Sequence, residues 1–370
     1  MHVVPALEVG GAEVLLRDSL LHYDRSVLAP TVCSMRDKGP IGREIESEGT
    51  EVIALGVKGH RIKWSSVFAL ARIIRERGID IVHTHLYPAN RSGRIAAMLA
   101  RTPCIIASVH NQYCHRQKPL KRRLLNNLLA RGTDAIVAVS EAVKADIVHF
   151  DHVAPKKIVV IPNGIDVAAI SVGDRAHARL SLGIPQDARV IGSVGRLIDQ
   201  KGHMYLIEAL ALIKDTHPKA RVLIVGEGPL RGELEALAGS LGVAERVTFA
   251  GVRRDIPDML AAMDAFAMPS LWEGFGIALI EAMVAGVPVV ATSIPPFQEI
   301  ITDREDALIV PIEDAGALAS AMELLLDDAS LSRKLGEAAR TRVISRYGIE
   351  STVQSHTKLY ESILQGGARG

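Results

Sequence analysis

The sequence predicts an α/β protein built as two doubly wound, Rossmann-like parallel-sheet domains that face each other across a cleft. Three observations carry that prediction. Short β-branched runs alternate with amphipathic helical stretches, the alternating series occurs twice, and a polar, turn-rich segment separates the two occurrences. A chain of 370 residues is also too long for one comfortable core and suits two.

In chain order, His2–Val4, Glu51–Leu55, Asp80–His83, Cys104–Ser108 and Ala135–Val139 read as strands of the first half. Between them, Val67–Arg77 and Ala89–Ala100 place apolar residues at helical spacing. The pattern restarts at Val190–Val194 and continues through Arg221–Val225, Arg246–Ala250, Ala265–Met268, Pro288–Ala291 and Ala307–Val310. Such alternation implies parallel strands with helices on both faces. The break falls near Ile161–Asp187, where IPNGID is a turn sequence and the residues after it are polar with Gly and Pro. Domains are therefore expected over residues 1–165 and 166–350. Ligands of such folds bind at the carboxyl ends of the strands.

Composition narrows the class. Hydrophobic residues make up 48% and aromatics only 4%, so the cores should be Val, Ile, Leu and Ala, as in buried parallel sheets. A net charge of +1 argues against a nucleic-acid binder, and none is expected as a partner. Cys33, Cys104 and Cys114 form no CxxC pair and fit a reducing, cytoplasmic setting. No apolar run reaches the roughly 18 residues that span a bilayer, and the opening MHVVPALEVGGAE has no signal-peptide pattern.

The sharpest motif is PSLWEGFGIALIEAMVAGVPVVA, Pro269 to Ala291. A strand ends near Met268, a loop follows with Gly274 and Gly276, and a helix begins near Ile277. Free N–H groups at that helix start, near Phe275–Ile277, make an anion site that the helix dipole favours. Carboxylates at Glu273 and Glu281 make sense beside it if each accepts hydrogen bonds from neutral hydroxyls. In Ile191–Leu210, a buried strand runs into a loop bearing Arg196 and Lys201, two cations able to clamp a pyrophosphate. In Arg221–Leu234, Gly226 and Gly228 follow a strand, but Gly232 comes one position late for a dinucleotide fingerprint. No acidic residue ends the next strand, RVTFAG, so a dehydrogenase reading is weak. Gly10 and Gly11 stand at a strand-to-helix loop where backbone can approach a phosphate or an acceptor.

Two strand ends of the first half carry histidine. His110 follows CIIASV at the cleft-facing end of a buried strand. His83 and His85 form an HxH pair, a pattern that invites a metal. No carboxylate stands at suitable spacing, however, and the two side chains are expected on alternate faces. No metal is therefore assigned, and His85 is read as lining the acceptor side. Residues 116–131 carry Arg116, Lys118, Lys121, Arg122, Arg123 and Arg131 among leucines, with no acidic residue. That pattern fits either a basic amphipathic helix on an anionic membrane or a packed helix with a solvated basic face.

Together these segments resemble the retaining glycosyltransferases of family 4, also called glycosyltransferase group 1, which have the GT-B fold. Glu273 and Glu281 match the family's E-x7-E motif, Arg196 and Lys201 its strand–GR–x–KG arrangement, and VGGAE its GGxE loop. VAVSEAV and IPNGID are further hallmarks, in which Ser140 and Asn163 are read as holding loops. The resemblance spans nearly the whole chain. It implies that Glu273 contacts the donor sugar, Glu281 the ribose, and Gly226 and Gly228 the region of the base. It also implies that His110 assists transfer near the sugar, and that a last helix around Ser351–Leu364 crosses back onto the first domain. The donor would be a nucleotide-diphosphate sugar, UDP-linked ahead of GDP-linked, with no cofactor or metal required. The acceptor would be a carbohydrate or lipid-linked glycan. Nucleotide-sugar epimerases of the same fold and non-catalytic nucleotide-sugar-binding subunits are the competing readings.

Overall fold

A computed structural model describes residues 1–58, 63–112, 120–170 and 173–367. The chain divides into two compact units. One comprises residues 1–164 with the final helix Ile349–Gly367, the other residues 165–348.

Seven strands of the first unit are described: β1 (His2–Val4), β2 (Thr31–Ser34), β3 (Glu51–Ala54), β4 (Ile81–His85), β5 (Cys104–Val109), β6 (Ala135–Ala138) and β7 (Ile158–Val160). They pair in parallel in the order β3-β2-β1-β4-β5-β6-β7. The second unit has β8 (Arg189–Val194), β9 (Ala220–Val225), β10 (Val247–Gly251), β11 (Ala265–Met268), β12 (Val289–Thr292) and β13 (Leu308–Val310), in the order β10-β9-β8-β11-β12-β13. Both sheets are doubly wound. The order reverses between β1 and β4 in one and between β8 and β11 in the other, and the loops leaving those strands flank each switch point.

The sequence pattern overlooks β2 and β7. Thr31–Ser34 sets two polar residues around two apolar ones, and Ile158–Val160 is a three-residue edge strand running into a turn. Both form because neighbouring strands offer their backbone groups, not because their own composition demands it.

Side chains alternate across the first sheet as the pleat requires. Val3, Val82 and Ile105 enter one core with Leu70 and Ile74, whereas Val4, Cys104 and Ile106 enter the other with Leu16 and Leu20. The final helix covers this second face, adding Ile349, Val353 and Tyr360 to its core. Cys33 and Cys104 are buried free thiols on opposite faces, and burial pushes each up to about 12. Cys114 lies outside the described residues.

Candidate active site

In the second unit, three loops leave adjacent strands and are fastened together by backbone. The loop after β8 donates to the end of β9, Gly195 N to Val225 O at 2.9 Å. Leu197 N then donates to Glu227 O and Leu230 N to Leu197 O, both at 3.1 Å. The loop after β11 joins them through Leu271 N to Gln200 O, 2.8 Å. Gly226 and Gly228 sit where this packing leaves no room for a side chain. A Cβ would lie 2.0 Å from Gly195 O in the first case and 2.4 Å from Leu197 O in the second. The fold itself thus supplies a reason for both glycines.

Glu273 and Lys201 meet on this platform. Lys201 Nζ lies 2.5 Å from Glu273 Oε1, and Ser270 Oγ donates to the same oxygen at 3.0 Å. Gln200 Nε2 donates to Oε2 at 3.1 Å. A carboxylate has about four lone-pair sites. Three are occupied here, which leaves one on Oε2 for an incoming hydroxyl. Arg196 is exposed, and among the described residues its side chain makes no hydrogen bond or ion pair. The two cations of this segment therefore differ, one tied to a carboxylate and the other uncommitted.

The helix Ile277–Val284 starts at Gly276 beside Glu273. Leu279 and Ile280 N–H bond back to Gly276 O, so the amides of Ile277 and Ala278 are those outside the helical ladder. Gly274 is buried, as is Phe275, whose ring packs edge-on against Tyr347 at 5.5 Å, so only Phe275's backbone can face a ligand. Glu281 stands one turn further along, partly exposed.

The first unit gathers its histidines, and one expectation is corrected. His83 and His85 do not alternate; residues two apart on a strand share a face, and their ring centroids are 4.2 Å apart. The strand predicted over Asp80–His83 runs on to His85, which carries the second ring into register. Parallel pairing sets His2 beside His83 and Ser108 beside His85. His2 Nδ1 lies 3.0 Å from His85 Nε2, and His85 Nδ1 lies 3.2 Å from His110 Nε2. Burial holds His110 down at about 4 and His2, His83 and His85 well below the usual histidine range. These rings are neutral imidazoles.

Ring nitrogens of His2, His83 and His85 lie within 4.8 Å of one another, the one such group of metal-ligating type among the described residues. Their nitrogens are already engaged. His2 and His85 bond each other, and His83 bonds Tyr360 and Ser108. Leu86, next to His85, has φ 61 and ψ 156, a strained conformation for a branched side chain at the start of the helix Tyr87–Ala100.

Gly10 is the N-cap of the helix Gly11–Leu21 and adopts extended backbone that any residue can take. A Cβ there would meet only the end of the Glu13 side chain. Unlike Gly226, it is not required by neighbouring backbone. Ser140 does hold a loop, its hydroxyl accepting from Val143 N to cap the helix Glu141–Asp151. Sequence reasoning missed His203. It follows Gly202, is buried with neither ring nitrogen partnered, and is held down at about 3 by burial and then by Lys201. Only its position two residues after a candidate cation could have flagged it.

Within the helix Leu120–Arg131 the exposed residues are Leu120, Leu124 and Leu128, at 67%, 62% and 60%, together with Lys121 and Arg131. Arg123 turns inward, its Nε donating to Phe150 O at 2.6 Å, and Arg122 stacks over the Tyr87 ring. Arg116 and Lys118 lie outside the described residues. No helix among the described residues is long and apolar enough to cross a membrane.

Two parallel-sheet units with loops of this kind at their switch points define the GT-B class of α/β proteins. The structure of Anabaena Alr3699/HepE in complex with UDP superposes with a TM-score of 0.83 at 24% identity, over 98% of this chain and all of the other. WaaG, a glycosyltransferase involved in lipopolysaccharide biosynthesis, gives 0.74 at 20% identity over 97% and 99%. In sequence, residues 9–169 match Glycosyltransferase Family 4 and residues 174–342 match Glycosyl transferases group 1. The Escherichia coli UDP-Gal:alpha-D-GlcNAc-diphosphoundecaprenol alpha-1,3-galactosyltransferase is 30% identical over 80% of this chain and 78% of its own. The D-inositol 3-phosphate glycosyltransferase of Corynebacterium urealyticum is 33% identical over 78% and 73%. The chain belongs to the group 1, family 4 glycosyltransferases, enzymes that transfer sugars.

Proposed function

We propose that this enzyme is a retaining transferase that moves a sugar from a nucleoside diphosphate, UDP ahead of GDP, to a hydroxyl of a carbohydrate or lipid-linked acceptor. The observation that carries the reading is the fastened platform at the carboxyl ends of β8, β9 and β11. It holds a cation pair, a helix start and a carboxylate with one open acceptor site. Arg196, Lys201 and the amides at Ile277–Ala278 stabilise the departing diphosphate, where negative charge grows as the glycosidic bond breaks. Glu273 accepts a sugar hydroxyl and Glu281 the ribose. The acceptor attacks from the face the diphosphate leaves, and that phosphate takes its proton. Two relatives or neighbours support the donor class by name, one a UDP-Gal enzyme and one a complex with UDP.

Contact with an anionic membrane surface fits the same reading, from the cytoplasmic side. The Leu120–Leu124–Leu128 stripe beside Lys121 is an amphipathic face suited to an interfacial position.

Thermal stability against UDP, GDP, ADP and TDP, alone and as sugar conjugates, tests the reading. A nucleotide at a hundred times its dissociation constant adds about 2.7 kcal/mol. Stabilisation by one nucleotide that is lost in Glu281→Ala supports the site. Indifference to all four, with no release of nucleotide from a radiolabelled donor, sinks it.

A further inference from the structure

The histidines of the first unit belong to a longer buried chain. Starting from His110, Nε2 lies 3.2 Å from His85 Nδ1, and His85 Nε2 lies 3.0 Å from His2 Nδ1. His2 Nε2 lies 3.4 Å from the Tyr23 hydroxyl, which lies 3.3 Å from the Tyr360 hydroxyl. Tyr360 OH then lies 2.7 Å from His83 Nδ1, and His83 Nε2 lies 2.7 Å from Ser108 Oγ. Five elements contribute: β1, β4, β5, the helix Gly11–Leu21 with its following turn, and the final helix. At the His110 end, Nδ1 is buried and has no partner. His110 lines a cavity of about 20 Å³, room for about one water-sized group, which His2, His83, His85, Tyr23 and Ser108 of the same chain also line.

A proton count makes the chain a single unit. Its seven members, all neutral, each carry one hydrogen that can be donated along it. Six links use six of the seven. With all six links running in one direction, the seventh sits at an end. If every group donates toward Ser108, His110 Nδ1 is a bare lone pair. If every group donates toward His110, Nδ1 carries the hydrogen. A mixed arrangement costs a buried unsatisfied group: a reversal between two histidines sets two N–H groups or two lone pairs against each other, and a reversal at Tyr23 or Tyr360 lets that oxygen accept from both sides but leaves its own O–H without a partner. The ring nitrogen facing away from a ligand is known to set the tautomer of the one facing it. Here that partner is itself set by the next, across to the far helix.

We propose that His85, His2, Tyr23, Tyr360 and His83 are positioning residues that fix the tautomer of His110, the end of the chain that meets the ligand. Its bearing on turnover rests on the transferase reading above, together with the role near the sugar that the family resemblance implies for His110. The coupling itself does not. Tyr360, some 250 residues from His110 in sequence, acts on it without touching it. Tyr23 joins the two halves through the two longest links, so it is the place where the chain is most easily cut.

The test uses the full-length protein with 15N-labelled histidine rings. Two-bond 1H–15N correlation spectra separate the two tautomers, with His110 assigned from a His110→Gln sample. Tyr360→Phe and Tyr23→Phe are each expected to change the His110 tautomer ratio at least twofold. Where transfer is measurable, turnover falls several-fold and the Michaelis constant for donor stays within twofold. Ser108→Ala, which removes the far acceptor, is expected to move the hydrogen onto His110 Nδ1 and keeps the test open should a tyrosine variant fail to fold. A His110 spectrum unchanged in every folded variant overturns the proposal, even if turnover falls. The spectra need no nucleotide or sugar. Absence of transfer alongside a shifted tautomer therefore defeats only the transferase reading, and transfer alongside an unshifted tautomer defeats only this one.

Discussion

Lys201 and Glu273 form an ion pair with 2.5 Å between Nζ and Oε1, both side chains largely out of solvent, across 72 residues of sequence. The pair joins the loop after β8 to the loop after β11, on either side of the switch point of the second sheet. It positions a cation while leaving Glu273 one lone pair for a ligand.

Removing that cation should therefore damage catalysis and fold together. Lys201→Ala is expected to lower turnover about a hundredfold, or about 3 kcal/mol, the scale of losing one transition-state stabiliser. It also leaves a buried carboxylate without its charge partner, so the unfolding midpoint falls. In a double-mutant cycle with Glu273→Gln on stability, a coupling of about 1–3 kcal/mol is expected. Turnover of Lys201→Ala equal to that of the parent protein would refute the clamp.

The loops' backbone fastening predicts a contrast between glycines. Gly202 has φ +62, and a Cβ there would lie 2.0 Å from Pro269 O, which is backbone and cannot rotate away. Gly202→Ala should cost more than about 2 kcal/mol by urea titration. Gly239, inside the helix Arg231–Ser240 with nothing within 4 Å, should gain up to about 1 kcal/mol as alanine. Equal effects at the two positions would contradict the packing.

Acid should unfold the first unit early. His110 and His356 are held down at about 4 by burial, whereas an unfolded histidine titrates near 6.5. Between those values the unfolded chain binds more protons than the native one. Stability is therefore intact above about pH 6.5 and lost as pH falls toward 4, at up to about 1.4 kcal/mol per pH unit for each ring. His356→Gln should flatten the slope of unfolding free energy between pH 6 and 4.5 by about that amount. An unchanged slope would mean that His356 is not neutral in the native state.

The exposed leucine stripe gives a prediction with no bearing on the core. Leu124→Glu with Leu128→Glu should abolish co-sedimentation with anionic phospholipid vesicles and leave thermal stability within a degree or two. Sedimentation equal to that of the parent protein would remove the membrane contact from the proposal.

Several of these features were legible beforehand. Alternating periodicity located all six strands of the second sheet, because buried parallel strands are dense in Val, Ile and Ala and are bounded by turn residues. The segments that hold Lys201 and Glu273 were likewise marked as candidate-site motifs by their charged residues beside glycine at strand ends, and the structure brings those two residues together. Thr31–Ser34 and Ile158–Val160 were not legible, since three or four residues of mixed polarity carry no period of their own.

By itself the sequence determined the class: two doubly wound sheets, apolar cores with few aromatics, and the family of the enzyme. Tertiary structure alone decided which charged groups meet and which stay free. It paired Lys201 and not Arg196 with Glu273, and it turned Arg122 and Arg123 inward while leaving leucines outside. It also gathered His2, His83, His85 and His110, from two strands and the end of a third, into one buried cluster. The physical reason is common to all three outcomes. Periodicity and spacing report what a residue's own strand or helix does with it. Pairing, burial and proton position depend on what a neighbouring element brings to within 3 Å, and parallel crossovers bring that neighbour from far along the chain.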